Sequence, residues 1–212
     1  MTALVALSVT DFSLALASDA PAPGGGSASA ASGAFGAALL EMVVRLTLGK
    51  EKYRASWADL EPLADRLREA RVRLLELVDE DTKAFDAVVT ARRLPKESEE
   101  DRAERERAID AANVLATTVP IQTAFFAHEA LKTAPAVLEK GNPNAASDAW
   151  VAGLLLHGAA LGALANVRIN LPGVSDPELS RGFREDAADL EKKVADALEK
   201  TRHLAASRAL TL

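Results

Sequence analysis

Apolar residues recur along this chain every three or four positions rather than in alternation, a spacing that predicts helices. Period-two runs and hairpin dipeptides are missing, so the expected class is all-α. The expected architecture is a compact bundle of about six to seven helices, several of them long, with no sheet. The clearest pattern runs from about Trp57 to Arg92. There Leu60, Leu63, Leu67, Leu74, Val78, Phe85 and Val88 fall within about 40° of one line at about 100° per residue.

The punctuation between helices is equally legible. A short helix near Thr10–Ala17 precedes the Pro/Gly stretch Pro21–Gly26, and a second helix runs from about Ser27, a plausible N-cap, to Gly49. Leu94-Pro95 closes the third helix, and Ser98 with Asp101 three residues on reads as a capping box opening the fourth. Pro120 is expected to kink that fourth helix. After Pro135 and the loop Gly141–Asn144, an apolar helix runs Ser147–Leu171 and stops at Pro172-Gly173. The last helix, Pro177 to about Ala209, sets Leu179, Phe183, Leu190, Val194, Leu198 and Leu204 against a charged, solvated face.

Composition narrows the class of protein. A chain of 212 residues, 49% hydrophobic, is expected to form one domain over 1–212. With a formal charge of −6 and nine aromatic residues (two Trp, one Tyr, six Phe), it offers neither a basic footprint nor stacking platforms, so no nucleic-acid partner is expected. Cysteine is absent, which removes thiolate nucleophiles and Cys-based metal sites. His128, His157 and His203 show no metal-ligand spacing, so no metal is expected. The N-terminal residues up to Ser18 lack a basic start and do not read as a signal peptide. Ala149–Val167 is apolar but rich in Ala and Gly, a weak membrane span, and the expected address is the cytoplasm.

Two acids stand out. Asp81 falls in the middle of the apolar stripe between Val78 and Phe85, where a carboxylate is costly unless paired or hydrogen-bonded. It is either a satisfied structural acid or a site acid with a shifted pKa. Asp148 lies at the start of the apolar helix, where an acid also suits the helix dipole. Asn166 and Asn170 share its helix face, but eighteen residues of helix put Asn166 roughly 27 Å from Asp148, too far for one small pocket. Gly24, Gly25 and Gly26 before Ser27 form either a tight turn or a place where ligand meets bare backbone. They fit neither a phosphate loop nor a dinucleotide fingerprint.

At Pro23-Gly24-Gly25-Gly26-Ser27-Ala28, through Met42-Val43 and Leu46-Thr47-Leu48-Gly49-Lys50, the sequence resembles the folate cyclodeaminase/cyclohydrolase family. The likeness continues at Asp79-Glu80-Asp81, Ala84-Phe85-Asp86, Leu94-Pro95, Val119-Pro120, Gly141-Asn142-Pro143-Asn144, Ser147-Asp148-Ala149, Asn166-Val167 and Ile169-Asn170-Leu171. The resemblance implies a homodimeric helical bundle that acts on a one-carbon unit at N5 and N10 of tetrahydrofolate, with no cofactor beyond that substrate. It also implies Asp148, Asp81 and Lys50 as catalytic residues. Gly24, Gly25, Gly26, Ser27, Arg45, Asn142, Asn144 and Asn170 are implied as substrate-binding, with Arg45, Lys50 and Lys52 the nearest basic cluster for the glutamate carboxylates. Around Glu139 to Ala149 the likeness is to the stand-alone methenyltetrahydrofolate cyclohydrolases rather than the cyclodeaminases. The competing expectation is a helical dimeric interaction protein without a catalytic site.

Overall fold

The computed structural model describes residues 3–211. Seven α-helices follow in order: α1 Val9–Leu16, α2 Gly25–Leu48, α3 Trp57–Arg92, α4 Glu99–Leu131, α5 Ala134–Lys140, α6 Ala146–Asn170 and α7 Pro177–Ser207. Short 3₁₀ turns join several of them, and there is no strand among the described residues. Helices α2, α3, α4 and α6 form the central bundle, each packed on its neighbours, while α7 lies across α4 and α6.

The small residues of α2 explain how that bundle closes. A Cβ on Gly36 would stand 2.7 Å from Leu156 Cγ and 3.0 Å from the Ala152 carbonyl oxygen of α6. On the α6 side, a Cβ on Gly162 would stand 2.3 Å from Ser29 Oγ. The two helices therefore approach too closely for a Cβ at either glycine, and Gly33 opposite Leu74 and Ala159 continues the same seam. Leu40, Leu60, Leu67, Leu74, Leu77 and Leu156, all fully buried, fill the space that the glycines leave.

Two expectations change. The second helix begins at Gly25 with Gly24 as N-cap, two residues before Ser27, because the hydroxyl and amide of Ser27 turn to another helix. The α3 stripe is core only as far as Val78; Phe85 is 36% exposed, because beyond that point the helix borders a cavity. Pro120 lies inside α4, which runs from Glu99 to Leu131. It cannot donate to the Ala116 carbonyl one turn back, and the Asn170 side-chain amide donates to that oxygen at 2.7 Å instead. The capping box at Ser98 and Asp101 forms as expected.

By length and composition, α2 and the segment Pro143–Gly173 could each cross a membrane, and about half of each such window is buried inside the bundle.

The seam can be tested with two glycines of opposite setting. Gly36→Ala should destabilise by about 1–3 kcal/mol through overpacking. Gly182→Ala in α7, where a Cβ meets nothing within 4 Å, should stabilise by roughly 0.5–1 kcal/mol. Urea denaturation of both variants reads the difference; shifts of the same sign would refute the close approach of α2 and α6.

Candidate active site

Asp81 reaches the end of another helix. Its Oδ2 accepts from the Ser27 backbone N–H at 2.8 Å and from the Ser27 hydroxyl at 2.8 Å. Ser27 lies in the first turn of α2, whose amides have no partner within the helix, so the carboxylate satisfies a free donor at the positive end of the helix dipole. Gly26 makes this possible: a Cβ there would lie 2.0 Å from Asp81 Oδ1. The second oxygen, Oδ1, accepts no hydrogen bond from the described residues. No buried side-chain oxygen among these residues lacks a partner, so Oδ1 is open to solvent.

That open oxygen faces a cavity of about 610 Å³. One wall is Gly24, Gly25 and Gly26; a second is the α3 face of Asp81, Phe85, Val88 and Arg92; the third is Asn113 with the C-terminal turn of α6, Asn166, Ile169 and Asn170. The amides lining it are held from behind. The Asn113 side chain donates to the Gly173 carbonyl at 2.7 Å, Asn166 to that of Gly162 at 2.9 Å, and Asn170 to that of Ala116. Each keeps a side-chain oxygen without a partner among the described residues, for a ligand donor to use. Burial pushes the Asp81 carboxyl above the ordinary aspartate range, and the two Ser27 hydrogen bonds pull it part of the way back. A partly desolvated carboxylate with one oxygen anchored and one free can accept a proton or face a cation.

The residues expected to act together fall into two groups. Gly24, Gly25, Gly26, Ser27, Asp81 and Asn170 come together at this cavity. Lys50, Asn142, Asn144 and Asp148 lie at the other end of α2, roughly 35 Å away by the helical rise, and do not line it. Asn142 is nearly buried there. Its N–H donates to Thr47 Oγ1 at 2.8 Å and its Oδ1 accepts from Tyr53 and the Asn144 N–H, so it pins the loop to the end of α2. Arg45 is turned to Glu41, which it meets at 2.6 Å and which also accepts from Arg71 at 2.9 Å. The expected basic cluster for a substrate tail is thus absent from this cavity, and Arg92 is the cation on its lining.

Sequence reasoning missed Phe85, Arg92, Asn113 and Ile169 as cavity residues. Arg92 and Phe85 had a readable signal, the continuation of the Asp81 helix face, whereas Asn113 depends on how α4 meets the Pro172-Gly173 turn. Among the described residues, no three His, Asp or Glu side chains gather as a metal set would require.

The bundle, with a carboxylate at a glycine-rich helix start, defines a class already described. The formiminotransferase-cyclodeaminase family profile matches residues 8–206, and the chain belongs to that family. A methenyltetrahydrofolate cyclohydrolase of Methylorubrum extorquens is 42% identical over 183 residues, 86% of each chain. The formimidoyltransferase-cyclodeaminase of Sus scrofa is 35% identical over 84% of this chain, which spans 33% of that longer protein. Among solved structures, the formiminotetrahydrofolate cyclodeaminase of Thermotoga maritima superposes with a TM-score of 0.84 at 28% identity, over 96% of this chain and 98% of that one. The family and the all-α fold expected from the sequence are therefore shown.

The electrostatics of the site can be measured without any substrate. A carbon-detected NMR titration should place the Asp81 carboxyl midpoint above that of an exposed aspartate, and Ser27→Ala should move it further up by removing one of the two stabilising hydrogen bonds. Because the folded-state pKa is raised, any associated stability is present below the unfolded value and declines as pH rises through the folded one. A midpoint at or below the ordinary aspartate value would contradict the geometry.

Proposed function

We propose that this protein hydrolyses 5,10-methenyltetrahydrofolate to 10-formyltetrahydrofolate, with Asp81 as the carboxylate at the reacting carbon. The observation that carries the reading is the free Oδ1 of Asp81 in a cavity walled by bare glycine backbone, apolar side chains and asparagine amides. Water adds to the cationic carbon between N5 and N10, and Asp81 accepts the proton it loses. The added hydroxyl then gives up its proton as the bond from carbon to N5 breaks, N5 takes up a proton, and the formyl group stays on N10. An ionised carboxylate offsets the substrate's positive charge, and the same group serves as the base. The stand-alone relative matched over 86% of both chains supports hydrolysis over ring-closing release of ammonia from 5-formiminotetrahydrofolate, the reading that the Thermotoga structure favours.

Both substrates should be supplied separately while the methenyl chromophore is followed. Its loss well above the buffer rate, without efficient formation from formiminotetrahydrofolate, is the expected result, and Asp81→Asn should slow it by about 10²–10⁴-fold. Rapid formation from the formimino substrate with no hydrolysis beyond background would make deamination the correct reading.

We further propose that the protein works as a homodimer whose two copies complete one another's sites. On α6, Val151, Leu154 and Leu161 are exposed at heptad spacing; on α2, Phe35, Met42 and Leu46 are exposed beside them. The two rows adjoin along Ser32, whose hydroxyl donates to the Leu155 carbonyl at 3.3 Å. This face has no cover among the described residues and suits a second copy packed antiparallel. Its one end carries the Asp81 cavity, with the exposed Ile169; the other carries Lys50, Asn144 and Asp148, and Arg45 and Lys52 besides. Antiparallel packing sets that basic end of one copy against the Asp81 end of its partner, where Asp148 and Lys50 could act on the same carbon.

Mixing tests this directly. Asp81→Asn and Asp148→Asn should each be nearly inactive as pure proteins. An equal mixture allowed to exchange subunits should recover about a quarter of wild-type activity, because half the dimers would then carry one intact site of two. A monomeric mass at micromolar concentration, or mixed dimers that stay inactive, would overturn the arrangement.

A further inference from the structure

The α3 wall of the cavity is a straight track. Asp81, Phe85, Val88 and Arg92 follow at spacings of four, three and four residues, so they share one helix face, and the Cα atoms at its two ends lie roughly 16 Å apart. Asp81 is the anionic group on the lining and Arg92 the cationic one. Between them Phe85 is 36% exposed, and Ile169 across the cavity is 77% exposed, so the middle of the track is apolar surface left open to water. Arg92 has an exposed side chain with no ion pair among the described residues. Its backbone, by contrast, is held: the Arg105 guanidinium donates to the Arg92 carbonyl at 3.3 and 3.2 Å, tying the last turn of α3 to α4.

An open apolar strip ending in an unpaired cation fits an elongated ligand with three parts. Its electrophilic carbon meets Asp81, a flat ring covers Phe85, Val88 and Ile169, and an anion lies at the far end. We propose that Arg92 binds the carboxylate of the substrate's tail and sets specificity for a substrate that carries one. The inference rests on the folate reading: there a p-aminobenzoyl ring and one amide separate N10 from the first glutamate carboxylate, in the order that the track presents. Guanidinium suits the task because its planar donor fork pairs with carboxylate in two parallel hydrogen bonds. The role once expected for Arg45, Lys50 and Lys52 thus passes to Arg92 within one chain.

The test compares two ligands on two proteins. Binding of 5-formyltetrahydrofolate, and of the same compound without its glutamate, is measured by calorimetry on wild type and on Arg92→Gln. Wild type should prefer the glutamate-bearing ligand by roughly ten- to a hundredfold, the range of a charge-assisted hydrogen-bond pair. Arg92→Gln should lose most of that preference while binding the truncated ligand as wild type does, and Arg92→Lys should restore part of it. Thermal melts of the variants should match wild type, since the side chain is exposed. An Arg92→Gln protein that retains the full preference overturns the inference, and so does a wild type with no preference. Turnover is read separately. A wild type that binds through Arg92 yet converts neither folate substrate defeats the proposed reaction and leaves the tail site standing.

Discussion

The contact between the Asp81 carboxylate and the first turn of α2 is the constraint around which the rest is arranged. A carboxylate placed in the apolar stripe of α3 must find donors, and the nearest free donors on a neighbouring helix are the amides at its start. Ser27 supplies two, and Gly26 supplies the absence of a Cβ that lets them come within 2.8 Å. This contact fixes the register of the antiparallel pair. Seven residues back along α3, Leu74 stands opposite Gly33, seven residues forward along α2, so one two-turn repeat governs both the site and the core beneath it.

That register also explains why α2 is built from small residues on two sides. Against α3 it must admit a carboxylate, and against α6 it must admit a backbone, with Ser29, Gly33 and Gly36 meeting Gly162, Ala159 and Leu156. Helix α6 is brought close enough for its last turn to close the cavity with Asn166, Ile169 and Asn170. Pro120 contributes from α4 in an indirect way. By withholding a donor it leaves the Ala116 carbonyl free, and Asn170 is oriented by filling that vacancy. The site is thus a consequence of three helix contacts, each set by what a side chain lacks.

How much of this was legible in the sequence follows from the range of each interaction. Helix periods, the Ser98 capping box and the odd position of Asp81 are local or single-helix properties, and they were readable. The start of α2 was misplaced by two residues because Ser27 suits an N-cap by type, and nothing local says that its hydroxyl is claimed by a residue 54 positions away. Phe85 read as core because the α3 stripe does not change at Val78; what changes is the neighbour, which stops covering it. The separation of Asp148 from Asn166 was computable from helical rise, yet the comparable separation of Lys50 from Asp81 was not, because it depends on which end of α2 the third helix returns to. Arg45 suits a substrate cation by residue type, and nothing local says that Glu41, buried and shared with Arg71, holds it.

The balance at Asp81 bears on why such a site would release what it makes. Burial disfavours the ionised carboxylate, and Ser27 offsets that cost only in part, so the ionised form is short of stabilisation without a partner charge. On the proposed reaction the arriving substrate is a cation and supplies what is missing, which strengthens its binding and keeps the carboxylate ionised and ready to accept the proton from water. Once water has added and the ring has opened, the product carries no positive charge at that carbon and the carboxylate has taken a proton. The attraction that held the substrate is then gone, while any grip on the distal carboxylate is the same before and after. Charge at one end of the cavity therefore distinguishes substrate from product, and the apolar track with its cation selects the class of molecule without favouring either.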